Sequence, residues 1–222
     1  MSLTYLVLNF FIIAVPMWYT ADKRTAYYRR LPALGLSIAV VSTCYLLWDI
    51  LVTARGEWSF NGKYLTGVQI LNVPLEEVLF FITVPYSCLF IYEVVRYATK
   101  ITKLRLPASV IIALILALIA ASLAFYPQGY TAKALASCGF FLTIALLFDR
   151  SLLESKQYWM WLAICYVPFL IINTALTALP VVEYNSKAIW GLRVGTIPLE
   201  DFFYNFAMLS FYLLVYRIAR KE

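Results

Sequence analysis

Two long stretches without a charged residue, residues 3–20 and 106–130, limit how this chain can fold more than any other feature. Each stretch approaches or exceeds the roughly 20 residues that an α-helix needs to cross the hydrocarbon layer of a membrane. Over its 222 residues the chain is 63% hydrophobic and 14% charged, which is more apolar surface than a soluble domain of this size can bury. The sequence therefore predicts an all-α integral membrane protein.

Apolar runs separated by polar interruptions predict seven transmembrane helices. We expect these helices near residues 3–20, 31–54, 74–97, 107–126, 131–148, 158–180 and 197–216. Most of the 18 Lys and Arg residues then fall on one side, which predicts a plasma-membrane protein with a cytoplasmic C-terminus and an external N-terminus. Contact of that side with anionic lipid headgroups accounts for the net charge of +6. No nucleic-acid partner is expected.

The sequence repeats itself at an offset of 124 residues. This offset maps Pro-Leu-Glu-Glu at residues 74–77 onto Pro-Leu-Glu-Asp at residues 198–201. We expect a single membrane domain over residues 1–222, with one repeat at about 1–100, a connecting helix at about 105–127 and a second repeat at about 128–222. The connecting helix returns the chain to the side where it started, so two parallel three-helix repeats related by a pseudo-twofold axis along the membrane normal are predicted.

Five acidic residues are the predicted catalytic groups. Charged side chains within a membrane are rare and usually functional. A proline followed by acids is also an ordinary way to begin a helix, but duplication of the whole loop-and-helix unit favours a functional role. The five acids lie at the start of the third and seventh predicted spans and within the second: Glu76, Glu77, Glu200, Asp201 and Asp49.

Aromatic and polar residues near these acids form the predicted substrate-binding set. Core packing is the alternative for the aromatic residues, and loop structure is the alternative for the polar residues of the loops. The set comprises Trp48, Phe80, Phe81, Tyr204 and Phe206, together with Asn173 opposite Asp49 in the repeat and Asn61, Lys63, Asn185 and Lys187 in the loops. Most tryptophans at predicted span ends, including Trp58 and Trp161, are expected to anchor at the membrane interface.

Several kinds of chemistry are excluded by residues that the sequence lacks. It contains no histidine and no Gly-x-Gly-x-x-Gly motif, so histidine-ligated iron and a dinucleotide-binding fold are not encoded. Four cysteines fall within predicted spans without a close pair, so neither a zinc site nor a disulfide framework is indicated. The seventh span has no lysine for a retinal Schiff base, which argues against a microbial rhodopsin. We therefore expect no metal, flavin or nicotinamide cofactor.

The seven spans and the doubled Pro-Leu-Glu-acid motif resemble the lycopene cyclase domain of bacteria and archaea, in the form that fuses two small membrane subunits. The resemblance covers nearly the whole chain. It implies an isomerase that closes β-ionone rings at the ends of lycopene without net redox change. It also implies lycopene and a monocyclic carotenoid as partners within membrane lipid, alongside other enzymes of carotenoid synthesis. The pairing of Asp49 with Asn173 departs from the repeat and indicates that the two halves are not equivalent.

Ring closure begins with protonation of an alkene and ends with loss of a proton, and paired carboxyl groups suit both steps. Two alternatives from other classes stay open at this point. Paired acids at symmetry-related positions also suit a proton-coupled membrane transporter, and a non-catalytic scaffold of a carotenoid-making complex is a third possibility.

Overall fold

The computed structural model describes residues 2–100 and 102–221, and most of them are helical. Seven long helices and one short helix follow each other along the chain. They are α1 (Thr4–Trp18), α2 (Leu31–Ala54), α3 (Leu75–Ala98), α4 (Ala108–Ala124), α5 (Gly129–Phe148), the short α6 (Arg150–Leu153), α7 (Lys156–Ala178) and α8 (Leu199–Ala219).

Six of the described helices are long and apolar enough to cross a membrane: α1, α2, α3, α5, α7 and α8. The all-α membrane fold expected from the apolar runs is therefore confirmed. Helix α4 is equally apolar but has only 17 residues, a length of about 25 Å against a hydrocarbon layer of roughly 30 Å. A seventh span stays a prediction.

Helices α3 and α8 begin in the same way, directly after a proline with extended backbone. A short antiparallel hairpin precedes each of them. It consists of β2 (Gln69–Ile70) and β3 (Val73–Pro74) before α3, and of β5 (Arg193–Val194) and β6 (Ile197–Pro198) before α8. Since proline lacks an N–H group and restricts φ, it suits the last extended position before a helix. Both helices thus carry their acids in the first turn, at what we call the acid end of the bundle.

A two-stranded ribbon joins the two halves of the chain at the acid end. Strand β1 (Trp58–Phe60) pairs antiparallel with β4 (Val182–Tyr184), and Ser59 faces Glu183 at its centre. The ribbon draws the loop after α2 and the loop after α7 over the helix starts. It therefore brings residues from both halves to the same place.

Helices α3 and α8 contact most of the other spans. Helix α3 packs on α1, α2 and α7, whereas α8 packs on α5 and α2, and α4 packs mainly on α5. Strands β1, β2 and β3 map onto β4, β5 and β6 at the offset of 124 residues. The pseudo-twofold axis and the division into repeats remain predictions.

Trp161 is fully buried between helices, so its expected place at the membrane interface is wrong. Its indole N–H donates to the Cys88 carbonyl oxygen of α3 at 2.6 Å, and the side chain is 0% exposed. The location of Trp161 near a span end could not predict its burial, because the packing of α7 against α3 decides which way the ring faces.

Candidate active site

A cavity of about 420 Å³ lies among α1, α3, α7 and α8 and is lined mostly by apolar side chains. Glu77 and Asp201, one acid from each copy of the motif, both line it. Glu77 is 9% exposed and Asp201 is 4% exposed. The fold therefore brings two carboxyl groups that are 124 positions apart to a single, largely apolar space.

Asp201 is held by three hydrogen-bond donors from three different elements. Tyr130 of α5 donates to Oδ1 at 2.7 Å, while Asn173 of α7 and Tyr184 of β4 donate to Oδ2, each at 2.8 Å. Burial and, to a lesser extent, the neighbouring Asp201 raise the pKa of Tyr184 well above its usual value. The Tyr184 hydroxyl therefore keeps its proton and remains a donor at ordinary pH.

Glu77 has a different environment from Asp201. The Tyr5 hydroxyl of α1 donates to Glu77 Oε2 at 2.5 Å, and this is the one hydrogen bond that Glu77 accepts within the described part of the chain. The repeat accounts for part of the difference, because in the first half Phe60 takes the place of Tyr184 and Asp49 takes the place of Asn173. The two cavity acids are thus equivalent in sequence position but not in bonding.

Glu76 and Glu200 support the loops at the acid end. Oε1 of Glu76 accepts the backbone N–H of Thr66, and Oε1 of Glu200 accepts the backbone N–H of Trp190, each at 2.6 Å. Both glutamates are essentially buried, but they do not appear among the described residues that line the cavity. Each carboxylate therefore ties the loop before its helix to the helix start, and both copies of the motif do this in the same way.

Asp49 lies behind the cavity and contacts a tryptophan that lines it. Its side chain is 1% exposed, and its Oδ1 accepts the indole N–H of Trp58 at 2.8 Å. The Trp58 ring lines the cavity, so its expected role as an interfacial anchor is wrong. The reason is the ribbon, because pairing of β1 with β4 turns the Trp58 side chain inward, over the helix starts.

Four aromatic rings form an aromatic cage beside Asp201: Trp58, Tyr130, Tyr184 and Tyr204. The ring centroids of Trp58 and Tyr130 are 4.9 Å apart, those of Tyr130 and Tyr184 are 5.8 Å apart, and those of Trp58 and Tyr204 are 6.5 Å apart. Aromatic faces attract cations without forming bonds to them. The aromatic cage is therefore suited to a positively charged intermediate.

The aromatic residues of the predicted binding set fall into three groups. Phe80 and Tyr204 line the cavity. Trp48 and Phe81 lie one layer behind it, with the Trp48 ring 5.4 Å from the Tyr204 ring and the Phe81 ring 6.3 Å from the Phe80 ring. Phe206 packs elsewhere in the helix core. Asn173, the polar member of the predicted set within a span, lines the cavity and bonds Asp201 as described.

The four loop residues of the predicted set organise the loops. Asn61 Oδ1 accepts the backbone N–H of Lys63 at 3.1 Å, and Asn185 Oδ1 accepts the backbone N–H of Lys187 at 3.0 Å. Both lysine side chains are exposed. Among the described residues, these four side chains do not line the cavity, which favours the alternative of loop structure.

Sequence reasoning missed Tyr5, Tyr130 and Tyr184, the hydroxyl donors to the cavity acids. One signal was available, because Tyr184 stands where the first repeat has Phe60, and a gained hydroxyl group in a duplicated position points to a polar contact. Tyr5 and Tyr130 do not match each other at the offset of 124 residues. Their convergence on the acids became visible only with the packing of α1 and α5.

Comparison with known proteins bears on this site. The lycopene cyclase family model matches residues 2–95 and 128–219, leaving out the segment that holds α4. A bifunctional lycopene cyclase/phytoene synthase of Pyrenophora tritici-repentis is 39% identical over 57 residues, which is 26% of this chain and 9% of the fungal protein. No solved structure matches the chain. Because the family model covers most of the sequence, the chain belongs to the lycopene cyclase family.

Proposed function

We propose that this protein is a lycopene β-cyclase, an isomerase that closes β-ionone rings at the ends of lycopene. The observation that carries the proposal is the shared cavity, in which Glu77 and Asp201 face one apolar space walled by aromatic rings. Family membership supports a cyclase. The similarity to the fungal bifunctional protein agrees with it, although this chain covers only a small part of that protein.

Glu77 is the proposed proton donor. It accepts a single hydrogen bond, on Oε2, so Oε1 is left to carry a proton to the substrate. Protonation of the terminal double bond of lycopene gives a tertiary carbocation. A neighbouring double bond then attacks this cation, which forms the carbon–carbon bond of the ring and moves the positive charge into the ring.

Asp201 is the proposed proton acceptor. Both of its oxygens accept hydrogen bonds from neutral donors, an arrangement that stabilises a carboxylate anion. Loss of a ring proton to Asp201 forms the new double bond, so the product has the same atoms as the substrate and no electrons are exchanged. Return of this proton from Asp201 to Glu77 completes the cycle, and a redox cofactor is not needed.

The aromatic cage and the ribbon are proposed to protect the cation. Ring faces of Trp58 and Tyr204 stabilise positive charge without trapping it. The β1–β4 ribbon covers the acid end and keeps water from adding to the cation. Asp49, bonded to the Trp58 indole, is proposed to orient that ring and is a positioning residue.

We place the protein in the plasma membrane, with its N-terminus and acid end outside and its C-terminus in the cytoplasm. The excess of Lys and Arg on the opposite side supports this orientation. Lycopene and its monocyclic product would reach the cavity from the surrounding lipid. Other enzymes of carotenoid synthesis are proposed partners in the same membrane.

Pigment analysis in a bacterial host that makes lycopene and no cyclic carotenoid tests the proposal. Expression of the wild-type chain should yield carotenoids with β-ionone rings, and Asp201→Asn should abolish them at equal protein level. A transporter would leave lycopene unchanged. A scaffold would yield ringed products only together with a separate cyclase. The proposal is contradicted if the host expressing the wild-type chain alone still accumulates lycopene and no ringed carotenoid.

A further inference from the structure

The cavity is long as well as apolar. Along α3 its lining runs from Glu77 at the acid end to Ile91, which corresponds to about 21 Å of helix. This is roughly two thirds of the hydrocarbon thickness of a bilayer. Beyond the acids, α3 contributes mainly apolar walls through Val84, Phe90 and Ile91. A long hydrocarbon chain would therefore lie nearly parallel to α3.

Side chains at the edge of the cavity are exposed on the outside of the bundle. Phe11 and Val15 of α1 are 65% and 62% exposed, and Ile171 of α7 is 64% exposed, although all three line the cavity. In a membrane this surface faces lipid tails. The cavity therefore opens sideways between α1 and α7, and we call this opening the lateral mouth.

The corresponding place in the other half is filled. At the offset of 124 residues, Val15 of the lateral mouth maps onto Gly139 of α5, where an added Cβ would lie 3.6 Å from both Leu118 and Ile119 of α4. Helix α4, which has no counterpart in the repeat, therefore covers this face of α5. Cavity-lining Ile172 likewise maps onto Trp48, whose large ring packs against Tyr204.

From this asymmetry we infer that the cavity binds a linear polyene end-on through the lateral mouth and closes one ring in each binding event. The tip of the polyene reaches Glu77 and Asp201, the following segment lies along α3, and the far end stays in the bilayer. The inference deepens the proposed function and rests on it for the chemistry at the acids. The monocyclic carotenoid must then leave and re-enter with its open end first before a second ring forms.

Binding tests the lateral mouth without relying on catalysis. The probe is lycopene, titrated into the full-length protein in lipid nanodiscs and followed by induced circular dichroism in the visible range. Ile171→Trp would place an indole in the mouth. Val167→Trp makes the same kind of change one helical turn away on α7, at a side chain that is 59% exposed and does not belong to the described cavity lining. We expect about tenfold weaker lycopene binding for Ile171→Trp and a change within about twofold for Val167→Trp.

A second pair of variants tests the deeper part of the cavity. Val84→Trp would fill the space along α3. Val94→Trp is the matched control, since Val94 lies on the same helix beyond the described cavity lining and is 38% exposed. Val84→Trp should weaken lycopene binding by at least about tenfold, and Val94→Trp should not. Equal binding by the cavity variants and their controls would overturn the inference, even if the protein proves to be a cyclase.

Turnover tests the order of ring closure. In a time course with lycopene in excess, the free monocyclic carotenoid should accumulate before any carotenoid with two rings. Carotenoid with two rings as the first product would contradict end-on binding in separate events. If lycopene binds the wild-type protein and binds Ile171→Trp more weakly, as expected, but no ring forms, the proposed function is wrong and the inference about the lateral mouth is still supported.

Discussion

Separate replacement of two adjacent glutamates distinguishes a catalytic role from a structural one. Glu76 and Glu77 follow each other in the first turn of α3, yet Glu77 lines the cavity and Glu76 accepts the backbone N–H of Thr66. Glu77→Gln and Glu76→Gln each replace a carboxyl group by an amide of nearly the same shape. A difference between them therefore reports the role of each carboxyl group.

The expected magnitudes differ by at least an order of magnitude. Glutamine at position 77 has no acidic proton, and loss of a positioned acid typically lowers a rate by about 10²–10⁴-fold. Glutamine at position 76 can still accept the Thr66 N–H through its side-chain carbonyl oxygen, so this hydrogen bond is weakened and not lost. This change corresponds to roughly 1 kcal/mol of folding stability and to less than about tenfold in activity.

The assay is the initial rate of ring formation from lycopene by purified protein in nanodiscs, with the amount of folded protein measured for each variant. Glu200→Gln and Asp201→Asn repeat the comparison in the second half, where Asp201 lines the cavity and Glu200 holds the Trp190 N–H. Full activity of Glu77→Gln would refute the role of Glu77 as proton donor. Equal, severe losses in Glu76→Gln and Glu77→Gln at equal folding would refute the division of roles.

Three further predictions concern stability. Burial and a neighbouring carboxylate raise the pKa of Tyr184 in the folded protein, so above about pH 10 the Tyr184 hydroxyl loses its proton in the unfolded chain but keeps it in the folded protein. The free energy of unfolding should therefore fall as the pH rises above that value. Unfolding measured at a series of pH values should show a shallower fall for Tyr184→Phe. Gly129→Ala would place a Cβ 2.8 Å from Glu57 Oε1, so the end of the Glu57 side chain, which is paired with Lys133, must shift, and the protein should lose up to about 1 kcal/mol of stability. Gly35→Ala, with nothing within 4 Å, should be neutral or stabilising by up to about 1 kcal/mol; equal melting temperatures would contradict this. Leu71 has a left-handed φ of 59° where the second repeat has a glycine, so Leu71→Gly should stabilise by up to about 1 kcal/mol, and a lower melting temperature would count against strain at this turn.

The sequence by itself determined the membrane class and the place of the acids along the chain. Uncharged runs longer than about 18 residues have few alternatives to a spanning helix, because lipid cannot satisfy an open backbone. The doubled Pro-Leu-Glu-acid motif likewise predicted that α3 and α8 start with acids, and both helices do. These are local properties, so length and periodicity suffice to predict them.

Which acid faces the cavity was decided only by the tertiary structure. Adjacent positions on a helix point about 100° apart, so sequence alone could not say whether Glu76 or Glu77 faces inward; the packing of α1 against α3 and the bond from Tyr5 settle it. Trp58 was likewise assigned to the interface and came to line the cavity, because pairing of β1 with β4 joins strands more than a hundred residues apart. Contacts between such distant segments leave no periodic signal in a single sequence, and they are the contacts that build this site.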